Sequence, residues 1–278
     1  MLKDPFEVDQ LKLYLGKDYI INDYIKIKQP TIGQIAEMGE KEYYSMVYTL
    51  CSISSDMKSQ LWDMGIDWNN IEDFELFIML TRSLTQDQTK VLLGDLDLSK
   101  FTRGYDTKTE MPVLFMKKPD LVIPDNKVGL LDILKKKPSE QHEETDDDYI
   151  VIDEFVYSKM VSHIRMMHGI IPKVEKAANK ATKELLLEDD RDKLAIAMRK
   201  KSHSTLQPLV SALVNSAGFK YNIQQLNNLG IYQFMDSVQR IQMIKSADAL
   251  QKGMYGGFLD VSKLDKNELN WLKDFNGK

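Results

Sequence analysis

Apolar residues recur every three or four positions through most of this chain and at every second position in a few short runs. That pattern predicts an α+β protein that is mainly α. In the run YIINDYIKIK from Tyr19 to Lys28, apolar and polar residues alternate over Tyr24, Ile25, Lys26, Ile27 and Lys28, as in a half-buried strand, and Gln29-Pro30 ends it. Thr31 can then cap a helix with Ile32, Ile35, Tyr43, Met46, Val47 and Leu50 on one side, weakened midway by Gly39. A short helix carrying Met57, Leu61 and Trp62 is closed by Gly65, and a further one runs from about Ile71 to Leu84 with Phe74, Phe77 and Ile78 inward. After Leu93 the character changes. Short apolar runs at 113–116 and 121–123, separated by turn residues, predict hairpin-like β structure, with one more turn of helix at 130–134.

The second half reads as helical. Val156, Met160, Ile164 and Met167 share a face that Gly169 closes, and Pro172 suits the first turn of the next helix. That helix is expected to run unbroken to about Lys201. Its narrow seam of Val174, Ala178, Ala181 and Leu185 suits a helical hairpin or coiled coil. Ser204 or Thr205 opens an amphipathic helix with Leu206, Leu209, Val210, Leu213, Val214 and Ala217 on one stripe. After Gly230 a longer stripe follows, formed by Ile231, Phe234, Met235, Val238, Ile241 and Ile244. The turn from Gly253 to Phe258 stops it, and Asp265 with Glu268 has the spacing of a capping box before a short terminal helix with Leu269, Trp271 and Leu272.

Between the halves lies LKKKPSEQHEETDDDY, three lysines and a proline followed by carboxylates, with no apolar anchor; it reads as a solvated linker. The expected organisation is therefore an α+β domain over 1–134, a charged linker over 135–148 and a helical domain over 149–278. The acidic cluster lacks the turn glycine and terminal glutamate of a calcium loop.

Composition narrows the function classes. The chain has 278 residues, 43% hydrophobic and 28% charged, with a formal net charge of −5, which argues against a surface that coats nucleic acid. No apolar run approaches the roughly 18 residues of a membrane span and the start lacks a secretion pattern, so the protein is expected to stay in the cytoplasm. Cys51, the only cysteine, sits on an apolar helix face and reads as a buried, inert thiol.

Candidate chemistry does not assemble. His163 and His168 are about 140° apart on a helix, without the glutamate of a zinc-protease motif, and read as surface or partly buried histidines. Gly16-Lys17 lacks a phosphate-wrapping glycine loop. Gly94-Asp95-Leu96-Asp97 reads as a capped turn. Pro119-Asp120 with Asp125-Asn126-Lys127 has the letters of a metal-dependent nuclease core, but four intervening residues including Pro124 leave too little chain for two paired strands. Arg199, Lys200, Lys201 and His203 suit the end of a helix and lack the aromatic ladder of a nucleic-acid groove. No cofactor or metal is expected, and no catalytic residue is assigned.

The phrases GIYQFMDSVQRIQMIKSADALQKGMYGGFLD, LDKNELNWLKDF and QPTIGQIAEMGEKEYYSMVYTL resemble tail assembly chaperones of bacteriophages of low-GC Gram-positive bacteria. The likeness covers about 20–96 and 149–275 and is one of phrasing; it includes no active-site motif. It implies a non-enzymatic protein that binds amphipathic helical segments of the tape-measure protein during tail assembly in the infected cell. The expected partner-binding residues are Phe234, Met235, Val238, Ile241, Tyr255, Phe258, Trp271 and Phe275, receiving helices by groove packing. The chain's 15 methionines suit such a surface, and equally suit a core. Further expected partners are the tail tube protein or a second copy of the chain. The resemblance also raises a ribosomal frameshift at Lys135 to Lys137. Two alternatives stand beside it: a neck, tail or baseplate component of the mature virion, and a nuclease or DNA-packaging factor.

Overall fold

The computed structural model describes residues 8–106, 109–118, 148–199, 203–259 and 264–273. The linker apart from Asp148, the apolar run 121–123, the helical turn 130–134, Asp120, Asp125, Lys127, Lys200, Lys201 and Phe275 lie outside them.

The chain is α+β and mainly α. Helix α1 (Gln10–Tyr14) is capped by Asp9, whose carboxylate accepts from the Lys12 amide. The run expected as one strand over 19–28 is instead a hairpin of β1 (Tyr19–Ile20) and β2 (Lys26–Ile27). Asn22 makes the turn: its Oδ1 accepts from the amides of Tyr24 and Ile25 at 3.0 and 2.8 Å. The helix expected from Thr31 to Leu50 is likewise two, α2 (Ile32–Met38) and α3 (Glu40–Cys51). Gly39 sits between them at φ 97, a backbone conformation that side chains with a Cβ resist, so the weak point becomes a corner.

Helices α4 (Lys58–Asp63), α5 (Asp73–Thr81) and α6 (Gln86–Leu93) follow, with Thr85 and Gln88 forming a capping box for α6. Gly94 (φ 63) ends α6, and Asp97 accepts from the Ser99 amide, making the capped turn that 94–97 predicts. Strands β3 (Thr102–Tyr105), β4 (Pro112–Lys117) and β5 (Tyr149–Ile152) form an antiparallel sheet in that order. Residues following the charged segment thus complete a sheet begun before it, and the period-two burial of Ile150 and Ile152 fits that role. Helix α7 (Glu154–His168) is capped by Asp153 and closed by Gly169 in the left-handed region, with Met160, Ile164 and Met167 inward.

One core runs through all of this. Ile35, Leu50, Phe77, Leu92, Leu114, Ile152, Met160 and Phe234 belong to a single cluster of buried side chains. A smaller cluster joins Leu61, Trp68 and Leu76 to Leu187 of α8 (Lys180–Arg199). The helix expected from Pro172 therefore begins eight residues late. Residues 170–179 are irregular because other parts of the chain take their backbone groups: Ser55 Oγ bonds both the Glu175 amide and its carbonyl, and Asn69 does the same for Ala177. Val174 and Ala178 consequently carry no helical seam.

The last part of the chain holds α9 (Leu206–Val214), α10 (Ile223–Asn227) and α11 (Ile231–Tyr255). Glu40 of α3 caps α9 from outside, its carboxylate accepting from Ser204 Oγ and the Thr205 and Leu206 amides. Those bonds hold its carboxyl below the ordinary range despite burial. Thr31 and Gly230, the residues preceding α2 and α11, form an antiparallel bridge: Ile32 N donates to Leu229 O and Ile231 N to Pro30 O, both at 2.9 Å. The expected terminal helix is a 3-10 turn (Lys266–Leu269) capped by Asp265.

Candidate functional site: a methionine-lined groove

Helices α7 and α11 pack side by side, with α1 lying on α11. Where the end of α7 passes the middle of α11, a groove of about 700 Å³ stays open. Its apolar surface comes from Met166, Ile170 and Ile171 on one side and from Tyr232, Met235 and Met243 on the other. Unbranched thioether side chains can follow the contours of varied apolar partners. Its polar lining is Ser162, Arg165 and His168 of α7, Asp236, Gln239 and Gln242 of α11, Gln10 of α1, and Lys273.

The sequence builds these walls simply. On α11 the positions 232, 235, 239 and 242 repeat at three- and four-residue spacing, giving a second stripe beside the one that enters the core. On α7, Gly169 breaks the helix and sends Ile170 to Pro172 along the groove. Lys273 is brought there by Arg240, whose Nη1 donates to the carbonyls of Trp271 and Lys273.

His168 is fixed on both ring nitrogens. Nδ1 lies 2.7 Å from the Ile164 carbonyl, so it carries the hydrogen, and Nε2 accepts from the Tyr43 hydroxyl at 2.6 Å. Burial pushes its pKa down to about 4, so the ring is neutral near pH 7. His163, on the core side of α7, is buried and stacked on Tyr19, and burial lowers it to about 4 as well. His168 is partly buried, within the expectation of surface or partly buried histidines, whereas His163 lies fully in the core.

Arg165 donates from Nε and Nη2 to the carbonyl of Cys51, the last residue of α3. Burial raises the pKa of Asp236, partly offset by Arg240, whose Nη2 is 3.8 Å from its carboxylate. The Cys51 thiol, buried as expected, is pushed by burial up to about 12.

The described residues among those expected to bind a partner do not form one surface. Phe234 and Val238 are buried at 0% and 9% exposure, covered by the protein's own core. Ile241 is half-buried against that core. Met235 lines the groove. Tyr255, the last residue of α11, is 89% exposed and about 30 Å from Met235 at 1.5 Å per residue, and Phe258, in the turn after it, is 87% exposed. Trp271 is 44% exposed, in the segment held by Arg240. The other groove residues, above all Arg165, Met166, Tyr232, Asp236, Met243 and Lys273, come from three separate stretches. Only those on α11 carried a signal, the second stripe.

Among the described residues no group of three or more His, Cys, Asp or Glu side chains is placed to hold a metal ion, and no helix is long and apolar enough to cross a membrane. One family model matches, that of the YomV second domain, over residues 199–276, just over a quarter of the chain. YomV is a Bacillus phage gene, and the match points to a phage-derived protein. It takes in α9, α10, α11 and the 3-10 turn, hence one wall of the groove. No curated protein and no solved structure matches.

Proposed function

We propose that the protein is a non-enzymatic tail-assembly chaperone of a bacteriophage, acting in the infected cell, which seats an amphipathic helical segment of the tape-measure protein between α7 and α11. The observation that carries this reading is the open groove itself, about 700 Å³ in volume and walled by Met166, Met235, Met243, Tyr232 and Ile170. The match of residues 199–276 to a phage-associated domain supports the setting, and the likeness of phrasing supplies the partner. Each methionine in the groove can adapt its rotamers to one apolar side chain of a partner, while the polar rim keeps the groove soluble when empty.

The test is co-expression with the tape-measure protein of the same phage. The wild-type chain should keep that protein soluble and co-purify with it. The variants Met235→Glu and Met243→Glu should abolish co-purification, and Met243→Glu, which lies off the main core, should leave the melting temperature within a few degrees. Undiminished co-purification by both would remove the groove from the reading. Abundant copies of the chain in purified particles would favour a virion component instead.

A further inference from the structure

The charges in the groove are unevenly matched, and this bears on what its partner carries. Among the described residues Asp236 is the one carboxylate lining the groove, and it faces Arg240. Arg165 and Lys273 have no carboxylate within 4.0 Å among the described residues. Arg165 donates to the carbonyl of Cys51, a neutral acceptor. His168 is held neutral by burial and its two hydrogen bonds. The groove is therefore a positive site on a chain whose formal net charge is −5.

We propose that the helix received here is an acidic amphipathic one, with an Asp or Glu set among its apolar residues to meet Arg165 and a second acidic residue toward Lys273. This rests on the reading of the groove as a helix-binding site and specifies the partner's chemistry. A guanidinium offers five N–H donors in a planar fork, and Arg165 spends two on Cys51. A carboxylate arriving on a partner can take remaining donors in charge-assisted bonds, in a groove where apolar walls weaken solvent screening. The same fork disfavours a segment that presents Lys or Arg at that place, since two like charges would be buried together.

The experiment uses the full chain and synthetic 25-residue peptides tiling the tape-measure protein, with binding read by fluorescence anisotropy. Peptides that bind are remade with each Asp and Glu changed to Asn and Gln. The acidic peptides should bind about tenfold more tightly than their amide versions, a gap that narrows with added salt. Arg165→Gln and Lys273→Gln should each shrink the gap, weakening the acidic peptide and sparing the amide one, as a double-mutant cycle registers. Lys273 lies on the rim, so its variant decides the matter if Arg165→Gln fails to fold. Equal binding of acidic and amide peptides, or tighter binding of basic ones, overturns this proposal and leaves the helix-binding reading intact. If no tiled peptide binds the wild-type chain, that reading fails, and this one with it.

Discussion

The side chain of Asn69 pairs with Ala177 as a neighbouring strand would, its Nδ2 donating to the Ala177 carbonyl at 2.8 Å and its Oδ1 accepting from the Ala177 amide at 3.0 Å. Two residues away Ser55 bonds both backbone groups of Glu175, and the buried ammonium of Lys58 lies 3.0 Å from the Glu175 carboxylate. These contacts hold residues 170–179 out of a helix. Asn69→Ala leaves two backbone groups without their partner, at a cost of about 1–3 kcal/mol. The expected outcome is a lower melting temperature together with increased helical circular dichroism as 170–179 winds onto α8. A melting temperature equal to wild type would show that the strap is dispensable.

The bridge between Thr31 and Gly230 depends on a close approach. A Cβ added at Gly230 would collide with Gln29 Oε1, and Gln29 cannot swing away freely, because its Nε2 donates to the Leu13 carbonyl at 2.7 Å. Gly230→Ala is expected to destabilise the chain by roughly 1–3 kcal/mol, the usual range for overpacking. The double variant Gly230→Ala with Gln29→Ala should recover part of that loss in urea unfolding. Additive losses would show that the two residues do not meet.

Burial lowers the pKa of His163 from 6.5 to about 4, so the folded chain binds its proton less readily than the unfolded chain does. Between pH 6.5 and 4 the unfolded state holds more protons, so stability is lost as the pH is lowered through that window and levels off below it. The loss is on the order of 3 kcal/mol for this residue. His163→Phe keeps a ring to stack on Tyr19, at present 4.4 Å away, and removes the titrating group. Its stability should fall less steeply than wild type between pH 6.5 and 4. Parallel curves for the two proteins would contradict the assignment.

Lys183 ties α8 to the body by three contacts. Its Nζ is 2.5 Å from the Asp67 carboxylate and sits over the rings of Trp62 and Trp68 at 5.6 and 5.5 Å. Lys183→Met keeps much of the packing and loses the charge, with an expected cost of about 1–2 kcal/mol. Tryptophan emission should shift, since the cation faces two of the chain's three indoles. An unchanged spectrum would place Lys183 away from them in solution.

Local periodicity made the second half of the chain readable where one face of a helix meets one core. On α7 the residues Met160, Ile164 and Met167 are buried as their spacing demands, and on α11 Ile231, Phe234 and Val238 are. The same spacing does not distinguish a docking face from a core face. Phe234 and Val238 were as apolar as a docking face should be, and the protein's own core covers them. The groove uses the neighbouring stripe of Tyr232, Met235, Gln239 and Gln242, whose mixed polarity gives no strong signal by itself.

The amino-acid order alone determined the mainly helical class, the stop at Gly169, the corner made available by Gly39 and the inward faces of α3, α5, α7 and α11. These depend on residues within a few turns of one another, where side-chain spacing and backbone preference act directly. Tertiary structure decided the rest: that 170–179 is held extended by Ser55 and Asn69, that β5 pairs with β4, that Thr31 meets Gly230, and that Arg165, Asp236 and Lys273 share a groove. Each joins groups far apart in the chain, and the free energy of satisfying their buried polar atoms appears only once the core has brought them together.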